Sequence, residues 1–303
     1  MRVVVSGSTG LIGSELARSL AAAGLEVFRL VRRAPLPGEM AIRWDPDRGE
    51  VDTGGLSGAD AVVHLAGENI ASGRWTASRK AALRDSRVKG TRLLCEALAG
   101  MRKPPPAFLC ASAVGYYGDR GGELLTEDSP PGSGFLSGLC RDWEAASSPA
   151  AERGIRVVSL RLGMVLSEKG GALPRMLPAF RAGLGGVLGS GSQYMSWIAL
   201  DDVPGVVLRV LSDETLRGPM NAVVPVPVTN REFTKTLGKV LSRPAVVPVP
   251  GFALRIAVGE MADALLLSSA RVVPGRLLAS GHVFRFPELE GALRHLLSPP
   301  EGA

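Results

Sequence analysis

Met1-Arg-Val-Val-Val-Ser-Gly-Ser-Thr-Gly-Leu-Ile-Gly13 decides the fold. The apolar run Val3–Val5 ends at Gly7, and glycines recur at Gly10 and Gly13 before a polar–apolar stretch from Ser14 to Ala23. This reads as a buried strand, a tight turn and the start of a helix. A helix start offers unpaired N–H groups and a partial positive charge to a phosphate, and glycine lets backbone and ligand approach closely. Strand before and helix after is the context that a dinucleotide fingerprint requires. Gly7, Thr9, Gly10, Leu11, Ile12 and Gly13 are therefore candidate cofactor contacts. A glycine-rich turn without a ligand is the plain alternative.

Working outward, Leu25–Val31 is a second strand that ends in Arg32-Arg33, and Ala59–Leu65 is a further strand opening at Ala66-Gly67. A helix is predicted over Thr76–Gly100, a strand over Phe108–Ala111, a helix over Phe135–Arg153 and a strand over Arg156–Leu162. Strands alternating with helices predict an α/β fold, a Rossmann-type doubly wound parallel sheet covered on both faces. Ligands then bind beyond the carboxyl ends of the strands, where the glycine-rich loops converge. The rhythm weakens after Leu166. Residues 1–166 are read as the dinucleotide-binding domain, with sheet-completing returns near 193–224. Residues 167–248 are the substrate side, and 249–297 a smaller C-terminal helical substrate or cap region.

Composition narrows the classes. The chain has 303 residues, 46% hydrophobic and 21% charged, which is globular and large enough for a substantial core. Its net charge is +6, yet the basic residues are scattered, and the densest group, Arg74 to Arg92, reads as a solvated helix face with at most one cofactor contact. No nucleic-acid partner is expected. No apolar stretch approaches bilayer length and no targeting segment is read at the N-terminus, so no membrane association is expected. Cys95, Cys110 and Cys140 lack metal-ligand spacing, which predicts structural thiols, no metal and a cytoplasmic location.

These landmarks together resemble an extended short-chain dehydrogenase/reductase. They are Gly7-x-x-Gly10-x-x-Gly13, Asp60…His64-Leu-Ala-Gly67, Ser112 at a strand end, Arg161-Leu-Gly-Met-Val165 and Trp197-Ile-x-x-Asp-Asp202. More narrowly, the chain is similar to the atypical NAD-dependent epimerase/dehydratase branch. That likeness rests on Ile42-Arg-Trp-Asp45, Leu65–Ile70, Arg74-Trp75, Ser86-Arg87, Ala113–Tyr117 and Trp143–Ala146. The tail from Pro250 to Leu297 resembles that branch's C-terminal domain of unknown function. The resemblance implies cofactor contacts from Leu65, Ala66 and Gly67, from Arg87 in a facing helix, and from Val165 near a nicotinamide. It assigns Asp201 and Asp202 a structural role.

The end of the second strand chooses the cofactor. An NAD site usually places Asp or Glu there, to accept from the ribose 2′-hydroxyl. Here Val31 is followed by Arg32 and Arg33, a guanidinium pair suited to a 2′-phosphate. NADP is therefore expected rather than NAD, with Arg32 the principal contact. The alternative is that the pair merely ends a surface strand.

For chemistry, Ser112 fits the family's serine, but Tyr-x-x-x-Lys is missing: Leu136 and Cys140 stand where tyrosine and lysine would. Tyr117, five residues past Ser112, is the expected substitute proton donor, with core packing the competing reading. His64, in an apolar strand, reads as a core histidine. Two functions remain open: an NADP-dependent oxidoreductase or nucleoside-diphosphate-sugar epimerase acting on a small molecule of unknown identity, or a non-catalytic NADP(H)-sensing protein. A monomer or homodimer suits either.

Overall fold

The apolar runs assemble into one eight-stranded sheet in a computed structural model that describes residues 1–298. Its strands are β1 (Arg2–Ser6), β2 (Glu26–Val31), β3 (Ala41–Asp45), β4 (Glu50–Val51), β5 (Ala61–His64), β6 (Ala107–Ala113), β7 (Arg156–Leu162) and β8 (Gly218–Ala222). They lie in the order β8-β7-β6-β5-β1-β2-β3-β4. Every pairing is parallel except that of β3 with the short edge strand β4. The chain moves outward from β1 through β2 and β3, then returns to lay β5 on the other side of β1. That reversal opens a crevice beyond the ends of β1 and β5.

The central strands are apolar on both faces because both faces are covered. Val3 and Val5 pack with Leu16 and Leu20 of α1 (Leu11–Ala22) on one side. Val4, Val62 and Phe108 pack with Leu94 and Leu98 of α2 (Ala77–Gly100) on the other. The period-2 alternation of a strand distributes neighbouring valines to opposite layers.

Two elements depart from the sequence reading. The helix expected over Phe135–Arg153 is broken into α3 (Gly134–Ala145) and a short helix, Ser148–Glu152. Pro149 has no N–H to continue the ladder and instead occupies the first turn of the second piece. Ser147 turns its hydroxyl back to the Glu144 carbonyl at 2.6 Å. The second departure is β3, whose residues were read only as a family feature; Ile42 and Trp44 bury one face of it.

The C-terminal region shares the main core, contributing Leu277, Phe284, Leu289 and Leu293. Asp202 anchors it: its carboxylate accepts the N–H groups of Arg285 and Phe286 at 2.7 and 3.1 Å. Among the described residues no helix is long and apolar enough to cross a membrane.

Candidate functional site

The glycine turn is built by three close approaches. Gly7 sits at φ +68°, and a Cβ there would lie 2.8 Å from the backbone of Leu65 and Ala66. A Cβ at Gly13 would stand 2.1 Å from the Gly7 carbonyl oxygen. Gly10 donates its N–H to that same carbonyl at 3.0 Å and caps α1 without any side-chain acceptor. The first turn carries no acidic residue, so the helix start keeps its donors and its positive end for an anion. Glu15 lines the same hollow as Thr9, Gly10 and Leu11, and its carboxylate is engaged by Arg18 and Ser19. These features fit a pyrophosphate.

Behind the turn, Ser6 fixes the exit of β5. Its hydroxyl accepts from the N–H groups of Leu65 and Ala66 at 3.1 and 3.3 Å, so its proton goes to His64 Nδ1 at 2.7 Å. His64 is fully buried between Trp44 and Phe108, and burial lowers its pKa to about 4. This is the core histidine expected from the sequence.

At the end of β2 the two arginines differ. Arg33 is held by Glu39 through bonds of 2.8 and 2.6 Å. Arg32 reaches Asp47 at 3.5 Å, with both side chains mostly exposed (64% and 80%), a pairing worth about 0–1 kcal/mol. Arg32 is therefore easily redirected, while Arg33 is committed. No carboxylate occupies the strand end at Val31.

Arg87 projects from α2 against the Leu65–Gly67 segment. It donates to the carbonyls of Leu83 and Glu68 at 3.1 and 2.9 Å and lies 5.1 Å from the Trp143 ring centroid. Its Cγ is 3.4 Å from where a Gly67 Cβ would be. Burial lowers its pKa from the ordinary guanidinium value. Val165 lies near the start of α1: a Cβ at Gly171 would stand 3.4 Å from the Val165 carbonyl oxygen and 3.6 Å from Leu11 Cδ2.

Ser112 and Tyr117 belong to one buried chain of hydrogen bonds. Ser112 donates to Glu144 Oε1 at 2.7 Å. Glu144 accepts two bonds from Arg161, at 2.8 and 2.9 Å. Arg161 also donates to the Tyr117 hydroxyl at 2.9 Å and stacks on Tyr116, 3.5 Å from its centroid. Tyr117 in turn donates to Asn221 Oδ1 at 2.7 Å. Burial raises the Tyr117 pKa, against the opposing pull of Arg161 and Asn221, and the side chain has no exposed surface. Both hydroxyl protons are thus already given to protein acceptors.

Leu136 and Cys140 lie beside the Ser112 loop, since a Gly115 Cβ would be 3.3 Å from Leu136 Cβ and 3.9 Å from Cys140 Sγ. Neither supplies a proton near neutral pH; burial pushes the Cys140 thiol up to about 11. Sequence reasoning used Glu144 and Arg161 only as landmarks and did not single out Asn221 as a partner. The signal available was for Arg161 alone, a charge inside the mostly apolar run Val157–Leu162. Among the described residues no cluster of His, Cys, Asp or Glu could hold a metal ion.

Residues 3–222 match the NAD dependent epimerase/dehydratase family, and residues 249–296 match a domain of unknown function, DUF1731. An epimerase family protein of Mycobacterium leprae is 43% identical over 300 residues, covering 98% of this chain and 96% of its own. A crystal structure of the human epimerase family protein SDR39U1 with NADPH superposes with a TM-score of 0.90 at 37% identity, covering 98% of this chain and 99% of the other. A structure described as the nucleoside-diphosphate sugar epimerase of Corynebacterium glutamicum gives a TM-score of 0.80 at 38% identity, covering 98% of this chain and 58% of the other.

Proposed function

Since this chain belongs to the NAD dependent epimerase/dehydratase family, we propose that it binds NADP(H) and works as an oxidoreductase or nucleoside-diphosphate-sugar epimerase whose atypical site lacks Tyr-x-x-x-Lys. One observation carries the reading: an uncapped helix start over Gly7, with Arg32 rather than a carboxylate at the end of the neighbouring strand. The human relative crystallised with NADPH supports the same cofactor here.

NADP(H), when bound, supplies a hydride donor or acceptor. The first N–H groups of α1 would hold the pyrophosphate, and Arg32, only weakly held by Asp47, would hold the 2′-phosphate with Arg33 beside it. Leu65, Ala66 and Gly67 line the adenosine side, with Arg87 holding that segment in place, and Val165 walls the nicotinamide end. Ser112, its own proton committed to Glu144, keeps lone pairs to accept from a substrate hydroxyl. Tyr117 acts through Arg161 as a positioning residue. Three free, buried cysteines support a cytoplasmic setting, and a small molecule is the substrate of a monomer or homodimer.

Leu136 and Cys140 beside Ser112 favour the second reading, an NADP(H) sensor without turnover. Net NADPH oxidation with carbonyl compounds, together with epimer formation from nucleotide sugars followed on the sugar itself, separates the two. If turnover is found and both Ser112→Ala and Tyr117→Phe leave it untouched, the catalytic placement fails. Tight NADPH binding with no turnover supports the sensor.

A further inference from the structure

The C-terminal match is a domain of unknown function, and its first part touches both loop 68–76 and the loop at 188–193. Helix Gly251–Val258 buries none of its residues, leaving Phe252 and Ile256 at 65% and 71% exposure. It ends at Gly259, φ +65°, and passes into a π-helical turn, Ala262–Leu267, a geometry frequent at functional positions. A helix that buries no side chain draws little stability from packing and opens readily.

What holds it are contacts at its two flanks. On the cofactor side, Arg74 donates to the carbonyls of Ile256 and Ala257 at 2.6 and 3.3 Å. Lys80 pairs with Glu260, and Met261 packs on Trp75 and Phe135, beside Leu136. On the substrate side, Gln193 Nε2 bridges the carbonyls of Leu188 and Leu266, both at 3.0 Å. The segment thus spans from Leu136, which abuts the Ser112 loop, to the loop at 188–193. Arg175 ties the Ala71 carbonyl at 3.1 Å. The loop it grips, 68–76, continues directly from Leu65–Gly67.

We propose that residues 251–267 form a lid over the cleft, latched by Arg74 to loop 68–76 and by Lys80–Glu260 to the start of α2, which opens to exchange NADP(H) and substrate. The proposal rests on the NADP(H) reading above. Arg74 spends its charge on two carbonyls at the end of a helix, where a cation meets the negative end of the dipole. Releasing it frees the helix and slackens the loop that leads to Gly67.

The test measures NADPH release by stopped-flow fluorescence from the full chain, together with hydrogen exchange over 251–267. Arg74→Ala and Lys80→Glu should each speed release about two- to fivefold, the scale of an exposed hydrogen bond to carbonyls for the first and of a partly exposed ion pair for the second. The charge swap Lys80→Glu with Glu260→Lys should restore the original rate. Exchange over 251–267 should be fast and rise further in Arg74→Ala, while β1 and β5 stay protected. Unchanged release in both single variants overturns the lid. If no form binds NADPH, the cofactor reading fails by itself. Exchange then decides the lid: protection of 251–267 equal to that of the sheet overturns it.

Discussion

The carbonyl oxygen of Gly7 occupies the space that a Cβ at Gly13 would need, with 2.1 Å between them. The turn and the start of α1 are thus one object, and the phosphate donors hold their positions only while that contact exists. Gly13→Ala should displace the turn, cost about 1–3 kcal/mol of stability and remove measurable NADPH binding. Gly10→Ala, whose Cβ would meet the Gly7 carbonyl oxygen at 3.3 Å, should be milder. Urea unfolding and a fluorescence titration on both variants check the ranking.

The buried pair Glu144–Arg161 supports a second prediction. Arg161 is 3% exposed and shares its guanidinium between Glu144 and Tyr117. Glu144→Gln leaves that charge without its carboxylate and should cost about 3–5 kcal/mol, the cost of stranding one buried ion. Tyr117→Phe removes the donor to Asn221 and should cost about 1–3 kcal/mol. Denaturant midpoints measure both, and a Tyr117→Phe cost larger than that of Glu144→Gln would contradict the arrangement.

His64 gives the protein a pH dependence of known sign. Burial holds its pKa near 4, whereas the unfolded chain takes up a proton near pH 6.5. Below that pH the unfolded state binds a proton that the folded state refuses. Stability from this group is therefore complete above about pH 6.5 and drains away toward pH 4, by about 3 kcal/mol in total. Protonation also ends the bond from Ser6, which organises the exit of β5 beside Gly7. Urea unfolding between pH 4 and 7 should show a steeper loss in the native protein than in His64→Asn; equal slopes would contradict the assignment.

How much of this was legible in the sequence depended on range. The glycine turn, the central strands and the helix over 77–100 are local patterns, and periodicity carries them. The guanidinium pair after Val31 was equally readable, because the strand end itself defines the place. The hydrogen-bond chain was not, since Ser112 meets Glu144 across 32 positions and Tyr117 meets Asn221 across 104. Tyr117 reads as a substitute proton donor five residues past Ser112, with core packing the competing reading. In the fold, a 3₁₀ turn over Val114–Tyr117 tucks it against Leu125, Val223 and Val272. The break at Ala146–Ser147 was visible in Pro149 but outweighed by the apolar pattern around it.

The most direct measurement is calorimetric titration of the full chain with NADPH and NADH, repeated on Arg32→Ala. The account predicts NADPH binding about tenfold or more tighter than NADH, the scale of one charge-assisted bond to phosphate. It also predicts that Arg32→Ala brings the two affinities together by weakening NADPH alone. Equal affinities in the native chain, or no heat with either nucleotide, would contradict it.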